Sequence, residues 1–376
     1  MDFSFSDEQA LLQESVSRFI TNDYGFDARQ KNSRSELGYS LENWKTFAEL
    51  GWLGVPFAES AGGFGGGAVE LMLMMEEFGK GLVVEPYVST VVACGTALNV
   101  AGSEQQQAEH IPSIVDGSKL WALAFAEPQS RFNLADLITS AKKDSGKYLL
   151  NGYKAVVVGG PNADFFIVSV RTSGEQRDRE GVSLFIIPSD APGVSTRDYP
   201  TVDGQRASEL TLDNVELDES SLLGQEDHGL SVLEQATDLA TLAVGSEAVG
   251  CMEVLYKDTV EYCKNREQFG QPIGKFQVLQ HRMVDMFMEH EQSKSLMFMA
   301  AMRWDEGYGP EAQKAVSAFK VQVGKSGKFV GQGAVQLHGG MGMTDELNIG
   351  HYFKRLTIID TMFGNVDHHL RRFGSL

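Results

Sequence analysis

The feature that most constrains this chain is the order in which its hydrophobic period changes: helical, then strand-like, then helical again. Ser6, followed three positions later by Gln9 and then by Leu11, Leu12, Val16, Phe19 and Ile20, predicts a capping box opening an amphipathic helix. Helical patterns recur at 41–54, 68–80 and 87–101, so residues 1–117 read as a helical domain. Between 118 and 226 short β-prone runs take over at 120–125, 148–150, 155–158, 165–170 and 184–187, separated by Gly, Asn, Asp and Pro. That texture predicts a small β-barrel or sandwich. After Gly229 the helical period returns at 229–265, 274–305, 309–337 and 345–372, which predicts a four-helix bundle over 227–376. The fold class expected is therefore α+β in three parts.

At 376 residues and 42% apolar content the chain can bury a large core. Its net charge of −19 argues against nucleic acid or a membrane surface as a general partner, since both are anionic. Cys94, Cys251 and Cys263 lack metal-ligand spacing and are too scattered for a disulfide framework, so no metal is expected and a reduced, cytoplasmic setting fits. Residues 1–20 lack the basic-then-apolar order of a signal peptide, and no run approaches the ~18 apolar residues of a membrane span. The stretch Gly62-Gly63-Phe64-Gly65-Gly66-Gly67 reads as a tight loop, because it lacks the preceding strand and Lys-Ser/Thr ending of a phosphate cradle.

Several separated strings carry a family resemblance. They are Gly54-Val55-Pro56 with Gly62-Gly63, then Glu127-Pro128, Leu150-Asn151-Gly152-Tyr153-Lys154, Arg266-Glu267-Gln268-Phe269-Gly270 with Phe276-Gln277, and Gln336-Leu337-His338-Gly339-Gly340-Met341-Gly342. In this order and at these separations they resemble the acyl-CoA dehydrogenase family along nearly the whole chain. The resemblance implies FAD, an acyl-CoA substrate, and a carboxylate that removes the α-proton while hydride leaves the β-carbon for the flavin.

The family carries that Glu at one of two places, and the matching positions here are Phe363 and Ala240. Neither side chain can accept a proton, so no catalytic residue is assigned. Glu247, seven residues beyond Ala240 and about 10 Å along a helix, is the alternative as a displaced base; its plainer reading is a partly solvated or interface carboxylate. Asp360 and Asp367 read as helix-surface charges or caps.

The resemblance also implies a flavin at a dimer interface, held by one subunit at its ring and by the other at adenosine and pyrophosphate. The ring-holding positions match Ala126, Phe132, Val156 and Val158, which lack the family's hydroxyl and indole donors. Each lost hydrogen bond is commonly worth ~1 kcal/mol. The cross-interface set is present: Arg266 for pyrophosphate, Phe269 to pack on the cofactor, Gln268, and Gln336 with Gly339 and Gly340 for the adenosine half. Without the cofactor, Arg266 would pair with Glu261 or Glu267.

This one-sided loss is expected of a subunit that lends contacts to a partner's FAD while the partner, a second acyl-CoA dehydrogenase chain, carries the catalytic Glu. It is similar to the small subunits of heteromeric bacterial enzymes of steroid side-chain degradation and to pimeloyl-CoA dehydrogenase small subunits, with electron-transferring flavoprotein as the usual acceptor. Competing expectations are a self-sufficient dehydrogenase using Glu247, a flavin enzyme of the superfamily needing no Glu, and a non-catalytic acyl-CoA-binding scaffold.

Overall fold

The computed structural model describes residues 5–376. Its helices are α1 (Asp7–Asn22), α2 (Phe26–Arg34), α3 (Leu41–Glu49), α4 (Ala68–Gly81), α5 (Gly95–Ala101), α6 (Glu104–Val115), α7 (Gly229–Asn265), α8 (Gln277–Asp305), α9 (Pro310–His338), α10 (Asn348–Thr361) and α11 (Val366–Ser375). Between α6 and α7 lie β1 (Trp121–Ala124), β2 (Ser140–Asp144), β3 (Lys147–Val158), β4 (Phe165–Arg171), β5 (Val182–Pro188), β6 (Val194–Pro200), β7 (Arg206–Asp218) and β8 (Leu222–Leu223). The helical, β, helical order of an α+β protein is what forms. By contacts the chain groups into two compact units, one from the N-terminal segment through Lys31 with Gly67–Val83 and Thr241–Leu376, the other from Asn32–Gly66 and Val84–Ala240.

In the second unit the strands make one sheet, ordered β6-β7-β3-β2-β4-β5-β8, with β1 parallel to β4. The path is open at β6 and β8, and its two halves are joined through a single pair, Ser140 with Arg171. Residues from strands far apart in that order, among them Leu210, Tyr148, Phe166 and Phe185, share one core, which requires the sheet to curl over it. The runs at 148–150 and 155–158 are one long strand: register shifts against β7 between Leu150 and Gly152 and between Lys154 and Val157 interrupt its alternation without ending it. Such bulges hide a strand from a strict period of two.

The sheet joins two of the sequence strings. Lys154 Nζ lies 2.7 Å from Glu127 Oε1, both side chains almost wholly buried, and the Ile138 and Thr139 amides donate to the same carboxylate at 2.7 and 3.1 Å. Burial pushes the Glu127 carboxyl upward, but the Lys154 charge and these donors hold it below its ordinary value; burial draws Lys154 down to about 8. Losing one partner would strand the other charge in a dry site.

The glycine-rich loop spends its amides on its own backbone. Gly65 donates to the Phe57 carbonyl and Gly66 to that of Val55, both at 2.7 Å, while a Cβ on Gly63 would stand 2.1 Å from the Phe57 oxygen. No row of N–H groups is left for a phosphate.

In the first unit, Ser6 and Gln9 make the expected reciprocal cap on α1. Small residues bring α4 and α7 together: a Cβ on Gly79 would lie 2.0 Å from the Glu247 carbonyl, and one on Gly250 1.9 Å from that of Glu76. Glycine is there because the two backbones touch. α9 buries Ala312, Val316, Phe319, Val323, Val330, Ala334 and Leu337 at helical spacing, packing against α8, α10 and α11. The segment read as a single helix over 345–372 is two, broken at 362–365, where Phe363 and Gly364 take φ of 54° and 118°. α7 is long and apolar enough to cross a membrane, contrary to expectation, yet 83% of its most apolar stretch is buried, as in a core helix.

Candidate cofactor-binding site

The residues assigned to the cofactor from sequence all belong to the first unit, on segments that meet at one end of the bundle. Arg266 follows the last turn of α7, its amide donating to the Tyr262 carbonyl, and a short hairpin pairs 267–268 with 271–272. The turn is Phe269-Gly270, with φ of 55° and 78°, the signs a two-residue primed turn needs. Gln336 sits in the last turn of α9, and Gly339 ends that helix with φ of 61°. The two segments are tied by the Tyr262 and His338 rings, stacked at 4.3 Å between centroids. His338 is fixed in turn, its Nδ1 donating to the Ala334 carbonyl at 2.9 Å. Neither ring was singled out in the sequence, although His338 lies inside a matched string.

Apart from Gln268, what these residues present outward is unspent. Among the described residues the Arg266 guanidinium makes no ion pair or hydrogen bond, and Glu261 is engaged instead by Lys264 and Asn265. The salt-bridge reading of Arg266 thus fails on geometry. Phe269 is 91% exposed, with the Phe276 ring edge-on to it at 6.2 Å between centroids. A bulky residue with a left-handed backbone costs roughly 1–2 kcal/mol, and here its ring is left in solvent. A Cβ on Gly339 or Gly340 would meet open space, so the backbone there is accessible to a ligand. Gln268 is exposed and its side-chain amide donates to the Glu267 carbonyl.

An unpaired planar cation can pair with a phosphate, and an outward aromatic ring can stack on a planar ligand beside an uncrowded Gly-Gly turn. The adjacent groove between Val260, Lys264, Pro272, Lys275 and Met283 is open and only ≈ 340 Å³, the small end of the range for ligand pockets.

The ring-holding positions, in the second unit, show the opposite character. Ala126 receives the Ala155 amide at its carbonyl, which lays the strand of Val156 and Val158 beside it, and Val156 is 48% exposed as bare hydrocarbon. Two nearby hydroxyls are already engaged within the chain. Ser130 is closed onto Glu127 and Thr139 onto the backbone of Tyr153.

The base positions are likewise filled by structure. Ala240 is fully buried. Phe363 lies on the loop between α10 and α11, its carbonyl 3.1 Å from His369 Nε2. Lys320 from α9 clamps that loop, donating to the carbonyls of Asp360, Met362 and Gly364 at 3.0, 2.9 and 2.5 Å. Burial lowers this lysine to about 7, against the pull of Asp360. No sequence signal marked Lys320, which lies on the buried stripe of α9.

Glu247 is not a partly solvated carboxylate. Both its oxygens are held at 2.6 Å by Nε and a terminal nitrogen of Arg355 from α10, with both side chains about 4% exposed or less. A bidentate buried pair of this kind leaves no free basic oxygen aimed at a substrate. Asp360 also departs from a surface charge, its Oδ1 being buried without a hydrogen-bond partner among the described residues. Asp367 is exposed in the first turn of α11, as expected of a helix-start charge.

Comparison with known proteins gives three consecutive family matches: "Acyl-CoA dehydrogenase, N-terminal domain" over 6–118, "middle domain" over 122–215 and "C-terminal domain" over 227–374. The solved structure described as PigA with FAD and proline is 27% identical, covering 100% of this chain and 98% of its own, with a TM-score of 0.93. A Tcur3481-Tcur3483 steroid ACAD is 29% identical, covering 98% and 97%, at TM-score 0.88. The ChsE4-ChsE5 complex from Mycobacterium tuberculosis provides a chain 25% identical, covering 100% and 98%, at TM-score 0.90.

Proposed function

Because this chain belongs to the acyl-CoA dehydrogenase family, oxidoreductases that use FAD to dehydrogenate acyl thioesters at a CH–CH bond, we propose that it acts as the subunit that completes a partner's flavin site. The partner is a second chain of the same fold carrying the catalytic glutamate. The observation that carries this reading is the asymmetry of the site: a pyrophosphate-ready surface at Arg266, Phe269, Gln336, Gly339 and Gly340, and a ring side at Ala126, Phe132, Val156 and Val158 stripped of donors.

Arg266 would pair with the pyrophosphate, Phe269 would cover the cofactor, and the Gly339-Gly340 turn would let backbone approach the adenosine half. FAD supplies hydride acceptance when bound; the α-proton goes to the partner's carboxylate, because Ala240 and Phe363 offer none. An exposed apolar surface beside the hairpin supports association. The first half of α8 shows Val278, Val284, Phe287 and Met288 between 44 and 72% exposed, more apolar area than an isolated helix face is expected to leave in water.

The two-chain names of the steroid ACAD and of the ChsE4-ChsE5 complex favour a heteromer, and the former favours a bulky steroid-derived acyl group. Electron-transferring flavoprotein is the proposed electron acceptor, and the cytoplasm the proposed setting.

The test is Arg266→Ala in the co-purified complex. The reading expects FAD to be lost on gel filtration while both chains remain associated. Full FAD retention would favour a scaffold that never touches the flavin.

A further inference from the structure

We infer that a divalent transition-metal ion binds where Glu76 of α4, Glu253 of α7 and His290 of α8 converge. One donor atom from each of the three lies within 4.8 Å of the others. Clustering alone would say little, but two atoms point to a missing ligand. Glu76 Oε2 and His290 Nε2 are buried and take no hydrogen-bond partner among the described residues, in side chains 1% and 2% exposed. Buried polar atoms are almost always satisfied, and a pair of orphans in one cluster marks an unmet need.

The imidazole is already oriented as a ligand would be. Its Nδ1 faces Glu291 Oε1 at 3.1 Å, so the proton belongs on Nδ1 and the lone pair on Nε2.

Three lysines face the same carboxylates. Lys294 contacts Glu76 Oε1 at 2.7 Å, Lys80 contacts Glu253 Oε2 at 3.2 Å, and Lys257 pairs with Glu253 Oε1. Each carboxylate oxygen has a second lone pair, so these contacts do not exhaust the ligands. Lys257 is 58% exposed and can swing to solvent as a dication enters. The touching backbones at Gly79 and Gly250 hold α4 and α7 in fixed register, which keeps Glu76 and Glu253 in place. One imidazole and two carboxylates from three helices suit Zn²⁺, Fe²⁺ or Mn²⁺ better than Ca²⁺ or Cu⁺.

The test uses the full chain, treated with EDTA and titrated with Co²⁺, whose visible absorption reports inner-shell ligation. The expected result is saturation at one Co²⁺ per chain, displacement by Zn²⁺, and a rise in Tm with Zn²⁺. His290→Gln and Glu253→Gln should each weaken binding about tenfold or more. His281→Gln, on the exposed face of α8, should leave it unchanged. Should His290→Gln fail to fold, Glu253→Gln carries the same comparison. Absence of a visible band, or a band undiminished in the cluster variants, would overturn the site and leave a lysine-bridged network.

Discussion

Arg355 closes two nitrogens on the two carboxylate oxygens of Glu247, each at 2.6 Å, inside the bundle formed by α7 and α10. This pair decides between two roles for the carboxylate. A base must be free to take a proton, whereas a structural anion must be kept charged beside its cation.

Glu247→Gln should therefore destabilise the fold by about 3–5 kcal/mol, because it leaves a buried guanidinium without its charge partner. Urea unfolding measures this. Turnover per folded complex should be unchanged. A stable variant without turnover would restore Glu247 as the base.

Restoring a carboxylate at the family's positions should not create an enzyme. Phe363→Glu or Ala240→Glu in the chain expressed alone is expected to yield no acyl-CoA oxidation, since the ring side still lacks donors at Ala126, Phe132, Val156 and Val158. An acyl-CoA-dependent reduction of an artificial electron acceptor by either variant would show that a functional flavin site exists in this chain by itself.

Acid should loosen the loop at Phe363. His369 Nε2 donates to the Phe363 carbonyl and its Nδ1 faces the Ser317 hydroxyl, while burial, then the nearby Lys320 and His368, hold the ring down to about 2. A group whose folded pKa lies below its unfolded value gives stability that is complete above about pH 6.5 and is lost as pH falls toward the folded value. The unfolding free energy should drop below pH 6.5 with up to about 1.4 kcal/mol per pH unit from this ring. In His369→Gln that contribution should vanish, and an unchanged slope would remove His369 from the account.

Gly250→Ala should fold poorly. Its Cβ would sit 1.9 Å from the Glu76 carbonyl, a backbone atom that moves only if α4 moves. Overpacking of this kind costs typically 1–3 kcal/mol and more where backbone blocks relief. Thermal unfolding reads it, and a wild-type Tm would show that the two helices are further apart.

Much of the architecture was legible because period and punctuation are local: Ser6 with Gln9 announced α1, and the returning helical period announced α7 to α9. The break in 345–372 carried local marks in Gly364 and in Asn365, the N-cap of α11, but the Lys320 ammonium that caps α10 comes from α9, outside any local pattern. The long strand β3 was split by its own bulges. The cofactor residues could be named from spaced strings, but the unpaired state of Arg266 depends on Lys264 and Asn265 engaging Glu261. Glu247 was misread for a related reason: its partner lies 108 residues away.

The central claim is that this chain lends flavin contacts and does not hold its own flavin. FAD per chain, measured by absorbance after denaturation, tests it most directly on the chain alone and on its co-expressed complex with a neighbouring acyl-CoA dehydrogenase. The account predicts no FAD on the isolated chain and one FAD per pair of unlike chains in the complex. One FAD on each copy of the isolated chain, with acyl-CoA oxidation, would contradict it.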